Sequence, residues 1–113
     1  MRIIPFKQPA QWQEQIELDR EIFILNFTWN ALNEFWAMDI YNRDEQPIIL
    51  GIKIVPNFPL LEPYTVFEKP RGEIICQNII NAPDTISRFD MSQKFELVYY
   101  SPGELEKILS EII

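Results

Sequence analysis

Carboxylates are the only catalytic groups this sequence carries in quantity. Asp39, Asp44, Glu45, Asp84 and Asp90 could supply the paired general acid and base of a hydrolase. Their spacing does not say that any two converge, and acidic residues in loops are more often simply solvated. The Asp44-Glu45 pair lacks the alternating oxygen ligands of a calcium-binding loop. There is no histidine, which excludes His-based triads, histidine metal ligands and the usual near-neutral proton shuttle. The one cysteine, Cys76, can form neither an internal disulfide nor a cysteine zinc site. Its neighbours Ile74 and Ile75 mark it as a small buried hydrophobe rather than a nucleophile. Three dispersed glycines leave no phosphate-cradling loop. No cofactor, metal or enzymatic activity is expected.

Aromatic residues are the other candidates. Trp12, Trp29, Trp36, Tyr41, Tyr99 and Tyr100 could form a stacking platform for bases or sugars. Ten basic against seventeen acidic residues give a net charge of −7, so no basic footprint for nucleic acid is expected. A sugar-binding face using Trp36 is a workable recipe. Yet Trp29 and Trp36 share strand faces with large apolar residues, so core packing or a protein interface is their expected use.

The elements that must hold these residues are mostly strands. Trp12, Glu14, Ile16 and Leu18 alternate with Gln11, Gln13, Gln15 and Glu17. Phe23, Leu25, Phe27 and Trp29 alternate with Ile22, Ile24, Asn26 and Thr28. Asp19-Arg20 between the two runs suits a tight hairpin turn. A third run, Phe35 to Tyr41, puts Trp36, Met38 and Ile40 on one side. A polar loop, Asn42 to Pro47, separates it from Ile48 to Val55, whose near-continuous apolar run predicts a strand covered on both faces. Gly51 in its middle suggests a bulge or a close backbone contact. Glu73 to Ile79 and Lys94 to Tyr100 read as two more strands, with a polar loop over Asn81 to Gln93. Ser101-Pro102-Gly103-Glu104 is a capping box with proline at the first helical position, and Leu105, Ile108, Leu109 and Ile112 follow at helical spacing. The expectation is a mostly β fold, a small antiparallel β-barrel or sandwich with a partly open barrel preferred. An extended proline-rich arm and a short C-terminal helix complete it.

At 113 residues and 13.5 kDa, one domain spanning 1–113 is expected. An apolar share of 47% excludes an intrinsically disordered chain. Met1 to Lys7 lacks the apolar stretch of a signal peptide, and no run approaches the length of a spanning helix. Pro56, Pro59, Pro63 and Pro70 defeat both helix and central strand, yet Phe58, Leu60, Leu61, Tyr64, Val66 and Phe67 keep that segment apolar. It reads as an extended arm laid along another surface. Together with the terminal Ile112-Ile113 it offers more hydrophobic area than a small sheet needs, as assembly components do.

The order of several short pieces carries a resemblance. They are Leu18-Asp19, Phe27-Thr28-Trp29-Asn30, Trp36-Ala37-Met38-Asp39-Ile40, Gly51-Ile52-Lys53-Ile54-Val55, Pro59-Leu60-Leu61, Pro70-Arg71-Gly72-Glu73-Ile74 and Glu96-Leu97-Val98-Tyr99. From about Ile16 to Tyr99 the sequence resembles the baseplate plug family of contractile-tailed phages, of the cyanophage type. Members commonly carry a glycine in the first hairpin turn and another before the Ile48 strand; here Arg20 and Asp44-Glu45 stand in those turns.

The resemblance implies a virion component made in the host cytoplasm. It would close the tail-tube lumen at the tail tip through contacts with hub, tube and spike proteins, as a trimer or part of a symmetric hub. It implies no membrane or specific nucleic-acid partner, and an acidic surface would let DNA pass without sticking. On that reading the docking residues are Phe58, Leu60, Leu61 and Tyr64 in the arm, then Leu109, Ile112 and Ile113. The alternative for each is that it closes the chain's own core. Two rival functions stand beside this one: a carbohydrate-binding module of a tail or toxin system, and a small cell-wall hydrolase.

Overall fold

The computed structural model describes the backbone of residues 1–112 and the side chains of residues 1–107. Seven strands and one helix follow in order: β1 (Arg2–Ile4), β2 (Gln11–Leu18), β3 (Glu21–Asn30), β4 (Phe35–Asn42), β5 (Pro47–Lys53), β6 (Glu73–Asn78), β7 (Phe95–Tyr100) and α1 (Pro102–Ile112). The alternating runs close into a four-stranded antiparallel meander, β2-β3-β4-β5. In β2–β4 every second side chain turns inward, so Ile16, Phe23, Leu25, Phe27, Trp36, Met38 and Ile40 are buried together. A second, three-stranded antiparallel sheet has the order β1-β7-β6. Its inward residues Ile4, Leu97, Cys76 and Ile74 belong to the same core. The strands thus divide between two sheets, and no closed barrel forms among the described residues. β1 was not anticipated; three residues are too few to show a period.

The β2–β3 turn has two residues, Asp19 (φ 51°) and Arg20 (φ 68°), closed by the Leu18–Glu21 pair. Two left-handed residues match the twist of a hairpin, and an arginine there costs about 1 kcal/mol that glycine would not. Glu45 (φ 63°) occupies the corresponding strained position before β5. That turn is held by the Asn42 side chain, whose Oδ1 accepts the N–H groups of Asp44 and Gln46, each at 2.9 Å.

The continuous apolar run of β5 has a different cause from the one expected. β5 is an edge strand, and Leu50 is 57% exposed, so the strand is not covered on both faces. Ile49 and Ile52 nonetheless both point inward, three residues apart, because a bulge shifts the phase between them. Ile40 pairs with Ile49 and Met38 with Ile52, leaving Leu50 and Gly51 opposite Asp39. Gly51 adopts φ 76°, and its N–H donates to Asp39 Oδ1 at 2.7 Å.

The Asn81–Gln93 loop is not merely solvated, since Ile86 and Met91 are buried in the core. Asp90 organises it, accepting the Ser87 N–H at 2.8 Å through its carboxylate and the Lys94 N–H at 2.8 Å through its carbonyl. Half of the predicted capping box forms: Glu104 Oε1 accepts the Ser101 N–H at 3.1 Å, but the Ser101 hydroxyl donates to the same oxygen at 2.9 Å rather than accepting the Glu104 N–H. Among the described residues no helix is long and apolar enough to cross a membrane.

Candidate docking surface

The arm lies against its own chain. Proline cannot donate, so the arm pairs with β6 intermittently, where its other residues allow. The Asn57 N–H donates to the Cys76 carbonyl at 2.8 Å, and the Leu60 N–H to the Ile74 carbonyl at 3.0 Å. Pro56 and Pro59, each just before one of those donors, form isolated bridges to Cys76 and Ile75. The arm thereby covers the outer edge of β6, an edge that would otherwise invite pairing.

A buried carboxylate fixes the arm where it turns. Glu73 is the one buried charged side chain among the described residues, at 5% exposure. Its Oε1 accepts the N–H of Leu61 at 2.6 Å and that of Ile74 at 3.0 Å. Burial pushes its carboxyl above the ordinary value, opposed by those two donors and by the Lys69 ammonium. Lys69 works on the same turn, its Nζ donating to the carbonyls of Leu61 (2.9 Å) and Tyr64. The next residue back, Gly72, has no room for a side chain: a Cβ there would sit 1.9 Å from the Tyr100 carbonyl oxygen. Its N–H donates at 2.8 Å to the Tyr99 hydroxyl, which in turn donates to the Asp19 carboxylate. Burial, then the bond to Asp19, raises the Tyr99 hydroxyl above its ordinary value.

These contacts place the sequence-predicted docking residues. Leu60 and Leu61 are 3% and 0% exposed and sit in the chain's own core, so they are closed to a partner in this conformation. The reason is the Glu73 latch, which turns the arm inward at Leu61. Tyr64 is partly buried and packs against that core. Of the four arm residues, Phe58 faces out most, at 43% exposure. Val66 and Phe67, farther along the arm, are also exposed, Phe67 at 96%. Leu109, Ile112 and Ile113 lie outside the residues whose side chains are described. Glu73, Lys69, Tyr99 and Asp19 were missed as a positioning group; a lone acid between Gly72 and an apolar strand was the available signal.

The candidate chemistry resolves into structure. Trp36 is 1% exposed, with Phe6 edge-on at 4.8 Å and the Arg88 guanidinium 5.0 Å from its ring, so it offers no sugar platform. Trp12 stacks on Phe27 at 4.5 Å, and Trp29 meets Trp36 edge-on at 5.6 Å. Asp39 clamps the β5 bulge and also accepts from Asn26 Nδ2 at 3.2 Å. Asp84 receives the side-chain amides of Asn57 and Asn78, at 3.4 and 3.3 Å. Asp44 and Glu45 stand in the exposed turn before β5. Burial pushes the Cys76 thiol up to about 12, far from a reactive thiolate. Among the described residues no three metal-binding side chains gather.

The residues that look most distinctive therefore hold the fold, and a comparison at the level of families is the next observation. A family model described as cyanophage baseplate Pam3 plug gp18 matches residues 1–102. The chain belongs to this baseplate plug family. The match takes in all seven strands, the arm and the first residue of α1. Membership makes the chain a structural component of the virion's tail baseplate, in contact with other baseplate proteins. No match is found among curated proteins.

Proposed function

We propose that this plug-family chain seals the tail tube at the hub, without catalysis, through apolar contacts made by its arm. The observation that carries this reading is the arm itself. It is pinned to β6 by the Glu73 bond and the Asn57 and Leu60 backbone bonds, and its turn is closed by Lys69, yet it turns Phe58, Val66 and Phe67 to solvent. Exposed apolar side chains on a backbone tied down at several points suit an assembly interface, because little backbone freedom is lost on docking. Phe58 is the proposed docking residue of the arm, with Phe67 as an addition, while Tyr64 packs against the core. The net charge of −7 suits a surface beside a DNA path, where like charge repels the phosphate backbone.

Quantitative mass spectrometry of purified tails tests the proposal. A copy number matching the hub, with cross-links to hub or tube proteins, supports it. Absence from mature tails would refute it. A tail that retains its DNA-tight end after deletion of this chain would refute the sealing role alone.

A further inference from the structure

A cleft of about 610 Å³ lies between the β2–β3 turn and the end of the arm. Ile22, Phe23 and Phe67 supply its apolar lining. Arg20, Arg43, Lys69 and Arg71 also line it, four of the ten basic residues in the whole chain. Three acids stand among them, Glu17, Glu21 and Glu68, so the cleft carries one net positive charge on a protein of −7. The cations are not equally engaged. Lys69 is bound to the carbonyls of Leu61 and Tyr64, and Arg71 faces Glu21 at 3.8 Å. Arg20 and Arg43 are exposed and have no hydrogen-bond or ion-pair partner among the described residues.

Arg20 occupies a left-handed position, φ 68°, where glycine would be free of strain. Six other non-glycine residues share positive φ, so what sets Arg20 apart is its unpaired cation on the cleft wall. Its side chain lines the same cleft as the most exposed aromatic of the chain, Phe67.

We propose that this cleft receives a segment of a neighbouring baseplate protein. That segment brings a carboxylate to Arg20 and Arg43 and lays an apolar side chain against Phe67 and Ile22. The inference rests on the baseplate reading and adds the chemistry of the partner. Charge complementarity favours it: a desolvated arginine paired with a carboxylate is the strong form of interface hydrogen bond. A single carboxylate needs only one favourable position among these charges, whereas a phosphate backbone would run its repeated charge past Glu17, Glu21 and Glu68 as well.

The test uses tails assembled in cells that supply either the native chain or a variant, with incorporation read by mass spectrometry. Arg20→Glu and Arg43→Glu should each lower incorporation roughly tenfold. Lys53→Glu, at the last residue of β5 opposite Ala37 and outside the cleft lining, should leave it unchanged. Arg20→Gly separates docking from folding, because it should raise the melting temperature of the isolated chain while still lowering incorporation. A photoreactive p-benzoylphenylalanine at position 67 should cross-link to an acidic segment of another baseplate protein. Native-level incorporation of both Glu variants, or cross-links only to DNA or to another copy of this chain, would overturn the inference and leave the baseplate reading standing. Absence of the native chain from tails would overturn both.

Discussion

Glu73→Ala should lower the stability of the isolated chain by about 3 kcal/mol, whereas Glu73→Gln should change it by less than about 1 kcal/mol at neutral pH. The figures come from the two N–H groups that Oε1 accepts, Leu61 at 2.6 Å and Ile74 at 3.0 Å. Alanine leaves both donors buried and unsatisfied, at roughly 1–3 kcal/mol each, less whatever is regained by removing a desolvated charge. Glutamine keeps an acceptor oxygen in the same place. The pH dependence has a definite sign. Burial raises the folded carboxyl above 4.5, so as pH climbs past 4.5 the unfolded chain loses this proton first. The Glu73 contribution is therefore greatest below 4.5, declines as pH rises through the folded value, and is level above it. Urea unfolding followed by tryptophan fluorescence at several pH values measures all three chains, and the native-minus-Gln difference isolates this one group from the other carboxylates. An alanine variant within 0.5 kcal/mol of native would mean that the carboxylate does not hold the arm. A native-minus-Gln difference that grows with pH would show that the donors outweigh burial.

Three further outcomes follow from the same region. Gly72→Ala should destabilise by more than about 3 kcal/mol or prevent folding, since its Cβ would meet the Tyr100 carbonyl at 1.9 Å; circular dichroism of the purified variant decides this. Leu61→Ala should cost about 2–5 kcal/mol in thermal or urea unfolding, because the side chain is wholly buried in the chain's own core. Unchanged stability with failed assembly would instead restore Leu61 to a docking role. Tyr99→Phe should cost about 1–3 kcal/mol by orphaning the Gly72 N–H. The native chain should also lose stability more steeply than this variant above pH 10, where unfolded tyrosine ionises and the buried hydroxyl does not.

Much of the β framework was legible because period-two alternation is a local property. The runs from Gln11 to Leu18 and from Glu21 to Asn30 state their inward faces outright, and the Asp19-Arg20 turn lies where the alternation breaks. What escaped was non-local. β1 pairs with β7, so Ile4 meets Leu97 across most of the chain, and no spacing rule records that. The division into two sheets depends on the same pairing. Ile49 and Ile52 misled the reading of β5 because a bulge changes the period within one strand. The arm was recognisable from its prolines and apolar residues, but which of Phe58, Leu60, Leu61 and Tyr64 would face inward was not. That choice is made by Glu73, which lies 12 residues beyond Leu61 and is an unremarkable acid in the sequence.

The pieces that carry the family resemblance converge on this same region. Asp19 from Leu18-Asp19, Gly72 and Glu73 from Pro70-Arg71-Gly72-Glu73-Ile74, and Tyr99 from Glu96-Leu97-Val98-Tyr99 form one chain of hydrogen bonds. It ties the β2–β3 turn to the start of β6 and then to the arm. Asp39, at the centre of another piece, clamps the bulge of β5 at Gly51. Each of these residues is used up by a backbone group or a neighbouring side chain, so what they have in common is a part in folding this chain. On the proposed reading, docking falls to side chains that these bonds leave outside: Phe58 and Phe67 on the arm, and Arg20 and Arg43 in the cleft. Arg20 makes the division sharp. Its backbone belongs to the turn that Asp19 anchors, and glycine would serve that turn better. Its side chain takes no part in the hydrogen-bond chain and stands free beside Phe67. The β2–β3 turn and the Glu73 latch thus serve the fold of this chain, and the side chains around them are left for its surface.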